Sequence, residues 1–250
     1  MGIPIIFAIG PPGAGKGTLL KRLAQDHNLY HLSVGDFLRS VRDAQGEGPN
    51  LLRSIVEARL TSGDLLPACV LMPLLKLKID SVELGLECND PLMLDHIATR
   101  IAPDLYKTTS TRPLVLQIFM HYNVDENKVV TVKDGPEFKV QHIAQPPRAI
   151  IIDGFPRDVA QAAEFERSFG KPEAVLHLHC SKWLAKERYL ARAREADDEQ
   201  LFEKRYSEYE QNIFEILKNY KHLFLDFDTG EETEMSYKNF AKWYRLLLGA

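Results

Sequence analysis

The chain has 250 residues, 45% of them hydrophobic, enough for one sizeable core or for one core with a small subdomain. Its formal net charge of −4 argues against nucleic-acid binding, which needs a basic surface. Cys69, Cys88 and Cys180 form no short pair, and the apolar start is too brief for a signal peptide or a membrane span, so a cytoplasmic protein in a reducing compartment, with no membrane partner, is expected.

The first expected element is a strand over Ile3–Ile9, and a helix is expected over Lys16–Asp26. Between and overlapping them lies 10-GPPGAGKGT-18. A glycine-rich turn there lets successive backbone N–H groups point into one concavity, and the helix that follows adds its positive end. Larger side chains would block an anion from the backbone, and glycine accepts positive φ. Lys16 supplies a mobile cation. The stretch reads as a polyphosphate cradle, with an ordinary glycine-rich turn as the alternative. In the general phosphate-loop pattern Ser or Thr directly follows the lysine, whereas here Gly17 intervenes and Thr18 comes second.

Further along, Tyr30–Leu32 is a weaker strand candidate and Leu51–Leu60 an amphipathic helix. Residues 86–147 break the rhythm. There LVLQIFMHYNV, ENKVVTV and PEFKVQHI are separated by turn residues, the pattern of antiparallel strands joined by hairpins. The alternation then resumes with strands Ala149–Ile152, Ala174–His179 and Leu223–Phe227 and helices Val159–Phe169, Lys182–Arg194, Glu199–Tyr220 and Tyr237–Leu248. Short continuous apolar runs are the mark of parallel strands buried on both faces. Their alternation with helices implies a doubly wound α/β sheet. Along the long helix, Tyr206, Tyr209, Phe214 and Tyr220 follow helical spacing and are expected in the core. The histidines show no metal-ligand spacing, and His177 and His179 are expected to take core or strand-end roles.

The loop arrangement GxPGxGKGT resembles the nucleoside monophosphate kinases, the adenylate and UMP/CMP kinase family. Three later segments are similar to that family in the same order: 31-HLSVGDFLR-39, 150-IIIDGFPRDVAQAAEFE-166 and 187-ERYLARAREADDEQLFEKRYSEYEQN-212. The stretch 63-GDLLPACVLMPLLKLKI-79 is similar to the segment that closes the family's monophosphate site. The resemblance covers roughly residues 1–80 and 147–248. It implies one P-loop kinase domain over 1–250, α/β, with a five-stranded parallel sheet flanked by helices. Residues 86–147 would be a small antiparallel β insertion, and 190–200 a short lid.

The implied reaction moves the γ-phosphoryl group of ATP to a nucleoside monophosphate with Mg²⁺ as cofactor. By resemblance Gly13, Ala14, Gly15, Lys16, Gly17 and Thr18 hold the ATP phosphates. Ser33, Val34, Arg39, Leu66, Gly154, Arg157 and Gln161 serve the acceptor, and Arg192, Arg194 and Arg205 close over the moving group. Asp153 would orient the hydrated Mg²⁺. Arginine suits such a cleft because a guanidinium grips phosphate bidentately and stays charged. Each residue also has a plainer reading: a solvated helix face for an arginine or Gln161, a turn cap for Asp153, a helix N-cap for Asp36.

The chain departs from the family at Val34, where a hydroxyl is missing. Gln161 leans towards adenine, so AMP is the expected acceptor, with UMP or CMP as the alternative. Only Ala193 separates Arg192 from Arg194, so the lid hinge is altered. A nucleotide-binding regulatory or scaffold protein is the rival from another class. Residues 86–147 are either a surface elaboration or a contact with a partner or a second copy.

Overall fold

The computed structural model describes residues 2–43, 51–83, 85–87, 122–124, 129–132, 137–139, 141–192, 194 and 197–248. The chain divides into two compact units. One comprises residues 1–2, 36–60 and 66–146, and the other residues 3–35, 61–65 and 147–250.

The second unit is built on β1 (Ile5–Ile9), an apolar strand with neighbours on both sides. It pairs in parallel with β8 (Ile150–Asp153) and β9 (Ala174–His179). Outside these lie β2 (Tyr30–Ser33) and β10 (Phe224–Asp228), giving the order β10-β9-β1-β8-β2. All four pairings are parallel, as the unbroken apolar runs predicted.

One sheet face presents Ile6, Ala8, Ile151, Leu176 and Leu178. They join Leu19, Leu20 and Leu23 of α1 (Lys16–His27) and Tyr237, Phe240 and Tyr244 of the terminal helix α8 (Thr233–Leu248) in one cluster. On the other face Phe7 makes edge-on contacts, with ring centroids 4.9–5.9 Å apart, to Phe155, Phe165 and Tyr220. Phe165 belongs to α5 (Val159–Phe169), and Tyr220 ends α7 (Glu199–Asn219). Between these helices in sequence lies α6 (Lys182–Ala191), which stops three residues short of the expected Arg194.

One core expectation fails on α7. Leu201, Phe202, Tyr206, Ile216 and Tyr220 are buried along it, but Phe214 is 70% exposed. At 3.6 residues per turn, Phe214 points about a third of a turn away from that stripe, and Ile216 takes the buried position.

Helix α2 (Val34–Asp43) follows β2 directly. Asp36 therefore lies in its first turn, not at the N-cap, and pairs with Arg39. After α3 (Leu51–Ser62), the other unit contains α4 (Ala68–Glu83), with Pro73 inside it. Then β3 (Leu86–Glu87) pairs antiparallel with β7 (Gln141–His142). Strands β4 (Tyr122–Val124), β5 (Val129–Val132) and β6 (Glu137–Lys139) form an antiparallel meander. The hairpin pattern read in residues 86–147 is thus present; the portion of the first expected strand at 114–121 lies outside the described residues.

Candidate active site

Because the sheet is parallel, the C-terminal ends of its strands gather along one edge. The phosphate loop leaves β1 there, Ser33 ends β2, Asp153 ends β8, and the two ends are in register. Crevices at such an edge are where open α/β sheets bind ligands.

The loop glycines have a reason beyond anion access. Gly13 has φ +84°, and a Cβ placed on it would stand 1.9 Å from the Ala185 carbonyl oxygen in α6. Gly10 would collide in the same way with the Leu178 carbonyl of β9. These two glycines let the loop lie directly on its neighbours' backbone. Gly15, in the left-handed region, is the N-cap of α1 and offers no side-chain cap, so the first helical N–H groups face the loop. Gly17 differs: a Cβ there would meet only Asp153 Oδ2, at an ordinary 3.7 Å.

Behind the loop, the Thr229 hydroxyl lies 2.8 Å from the Ala14 carbonyl oxygen and 2.9 Å from that of His179. Arg188 Nη1 donates to the Thr229 carbonyl at 2.8 Å. The buttress therefore comes from residues just past β10 and from α6.

Lys16 Nζ donates to the carbonyls of Gly10 (2.9 Å) and Pro11 (2.8 Å), folded over its own loop. Desolvation lowers its pKa to about 8; Asp153 opposes this, while Arg157 and Arg192 add to it. Lys16, Asp153, Arg157 and Arg192 thus share one electrostatic neighbourhood.

Asp153 is buried, and its Oδ2 lies 3.2 Å from His31 Nε2. That contact, rather than a turn cap, orients the carboxylate. With the exposed Thr18 in the first turn of α1, the donors are hard oxygens, the kind Mg²⁺ takes. The residues present therefore fit the ion.

Arg157 occupies the loop after β8, with its side chain exposed and Nε 3.4 Å from the Gly154 carbonyl. Its backbone N–H donates to Gln161 Oε1 at 3.0 Å. Gln161 is 2% exposed, which removes the solvated-face reading, and its backbone N–H is capped by Asp158 Oδ1 at 2.7 Å.

Where α6 gives way to α7, Asp197 faces two of the expected arginines. Its side chain is 4% exposed and accepts from Arg192 Nη2 at 3.0 Å, with Arg205 Nη1 4.0 Å away. Burial would raise its pKa, but the hydrogen bonds from Arg192 and Tyr189 and both guanidinium charges hold it below the usual carboxylate range. Arg192 also stacks on the Tyr189 ring at 4.2 Å, and Arg205 Nη1 donates to the Tyr189 hydroxyl at 3.2 Å. Asp198, next in sequence, caps α7 by accepting from the Leu201 N–H at 2.7 Å. The two aspartates thus divide the work. Arg194 is exposed.

Of the residues expected to serve the acceptor, Val34 is buried at the start of α2, in the same unit as the loop. Arg39 and Leu66 belong to the other unit, where Arg39 pairs with Asp36 and Leu66 is buried. His31, Arg188, Asp197 and Thr229 were not among the site residues expected from sequence. The Asp-Thr-Gly stretch closing β10 marks a turn at Thr229 but carries no sign of its partner.

Comparison with known proteins places these features in context. A family model described as an AAA domain matches residues 9–101. The chain is 28% identical over 190 residues to human adenylate kinase isoenzyme 5, covering 76% of this chain but 22% of that protein. It is 25% identical over 225 residues to UMP-CMP kinase of Lentinula edodes, covering 88% of this chain and 75% of the relative. It is 27% identical over 220 residues to adenylate kinase of Synechococcus sp. (strain WH7803), covering 86% and 84%.

Proposed function

We propose that the chain is a member of the nucleoside monophosphate kinase family and that it moves the γ-phosphoryl group of ATP to a nucleoside monophosphate, AMP first, yielding two nucleoside diphosphates. The observation that carries this reading is the glycine loop between β1 and α1, with Lys16 folded over it and Asp153 closing β8 at the same sheet edge. Phosphoryl transfer asks mainly for positioning and for positive charge around the moving oxygens.

In the reaction an oxygen of the acceptor phosphate attacks the γ-phosphorus. The bond to the bridging β,γ-oxygen breaks, and its electron pair stays on ADP. The acceptor oxygen is itself the nucleophile, so no covalent intermediate with the protein is needed. Gly13 to Thr18 cradle the donor phosphates with backbone N–H groups, and Lys16 exchanges its two loop carbonyls for phosphate oxygens. Arg157 grips the acceptor phosphate. Arg192, Arg194 and Arg205 close over the transferring group, with Asp197 holding Arg192 and Arg205 ready. Asp153 and Thr18 would hold Mg²⁺, which would supply positive charge against the negative charge developing on the phosphates. The resemblance assigns Ser33, Val34, Arg39, Leu66, Gly154 and Gln161 to the acceptor as well.

AMP preference rests on Gln161, buried and fixed behind Arg157. A second reading, UMP or CMP as acceptor, is left open by the apolar Val34 and favoured by the UMP-CMP kinase relative. Measuring kcat/KM with Mg-ATP and each of AMP, UMP, CMP and GMP separates them. The highest value with AMP supports the proposal, and a pyrimidine ahead of AMP supports the second reading. ATP binding without transfer to any of them would make the chain a nucleotide-binding regulator.

A further inference from the structure

Strands β9 and β10 carry a cluster that phosphoryl transfer does not use. His177 and His179 are two apart on β9, so both side chains leave the same sheet face. Asp226 of β10 is the register partner of His177 and shares that face. Asp226 Oδ1 lies 2.6 Å from His177 Nδ1, and Oδ2 lies 3.1 Å from His179 Nε2. The imidazole rings stack with centroids 5.0 Å apart. One ligand atom from each of the three residues lies within 4.8 Å of the others.

We propose that His177 Nδ1, His179 Nε2 and the Asp226 carboxylate form a binding site for a Zn²⁺-class transition-metal ion, clamping the edge strand β10 to β9. Two neutral imidazoles and one carboxylate suit Zn²⁺, Co²⁺ or Ni²⁺, whereas Mg²⁺ and Ca²⁺ prefer oxygen alone. The site has an inner orienting group and an open outer side. Tyr209 of α7 places its hydroxyl 2.8 Å from His177 Nε2, as the outer partner of a metal-bound histidine does. Without metal, the carboxylate at Nδ1 requires a proton there, and Tyr209 donates to Nε2. Metal binding moves that proton to Nε2, where the Tyr209 oxygen accepts it. On the outer side the Asp226 side chain is 56% exposed, which leaves room for water to complete the coordination.

The sequence concealed this site because its third ligand arrives only through strand pairing. The site does not depend on the kinase reading. Its position has a consequence for the loop, since the His179 carbonyl and the Ala14 carbonyl share the Thr229 hydroxyl.

The test uses the full chain, stripped with a chelator and without nucleotide. Zn²⁺ is titrated calorimetrically, and Co²⁺ is followed by its visible absorption. One saturable equivalent is expected, with a rise in Tm. His179→Ala, at a half-buried position, and Asp226→Asn, at an exposed one, should each weaken Zn²⁺ at least about tenfold and abolish the Tm rise. Mg-ATP binding should persist in both variants and report that they are folded. Absence of a saturable equivalent in the wild type would overturn the proposal, as would unchanged Zn²⁺ affinity in both variants.

Discussion

Replacing Gly13 and Gly17 separately by alanine distinguishes a glycine that the fold requires from one that the ligand requires. At Gly13 the new methyl would lie 1.9 Å from the Ala185 carbonyl oxygen, on a backbone with φ +84°. The left-handed conformation costs alanine about 1–2 kcal/mol. Relieving the clash means shifting the backbone of α6 or of the loop, typically about 1–3 kcal/mol more. Gly13→Ala should therefore lose about 2–5 kcal/mol of stability, a large share of the roughly 5–15 kcal/mol that holds a domain together. Gly17 lies in the first turn of α1 with ordinary φ and only Asp153 Oδ2 nearby, at 3.7 Å. Gly17→Ala should leave the ligand-free chain as stable, or more stable by up to about 1 kcal/mol. Its methyl would nevertheless stand where a phosphate approaches the helix N–H groups, so ATP should bind more weakly. Urea unfolding and ATP titration of both variants provide the readouts. If Gly13→Ala unfolds at the wild-type urea concentration, the packing argument is wrong. If Gly17→Ala binds ATP like the wild type, that glycine serves neither purpose.

Lys16 must be charged to meet phosphate, so kcat/KM for ATP should fall above its pKa of about 8, while kcat at saturating ATP persists to higher pH because the bound phosphate holds the proton; a flat kcat/KM between pH 7 and 9.5, where roughly a tenfold fall per unit is due above the pKa, would contradict this. Arg157→Ala should weaken the acceptor monophosphate by about 1.5–3 kcal/mol and ATP far less, and separate titrations showing equal losses would assign Arg157 a structural role. Asp197→Asn removes the charge that holds Arg192 and Arg205, so kcat should drop about tenfold or more with KM for ATP nearly unchanged; unaltered kcat would mean that the arginines need no anchor. In the β4-β5-β6 meander, among the described residues, the outer strands β4 and β6 each pair on one side, and we assign residues 86–147 a contact role. Their replacement by a short Gly/Ser link should change the oligomeric state in solution, and an unchanged state with unchanged kinetics would make them a surface elaboration.

What could be read from sequence was what a local run of residues determines. Strand β9 and helix α5 have the bounds that their apolar runs and flanking turns indicated, and the glycine loop lies between β1 and α1 as its composition required. What escaped depends on distant contacts. Thr229 reaches Ala14 across 215 positions, and His177 meets Asp226 across 49, so neither pairing leaves a local pattern. Phe214 shows the limit of spacing alone, because aromatic residues at near-helical intervals do not reveal which azimuth faces the sheet. Asp197 and Asp198 look alike in sequence, yet one collects arginines and the other caps a helix, a difference set by where α7 begins.

Single-turnover transfer from ATP radiolabelled at the γ-phosphate, with Mg²⁺ and each of the four monophosphates, tests the central claim most directly. The account predicts that the label moves to the β-phosphate of the acceptor diphosphate, fastest with AMP, with none on the protein and little released as inorganic phosphate. Label that stays in ATP with all four acceptors, or that leaves only as inorganic phosphate, would contradict it.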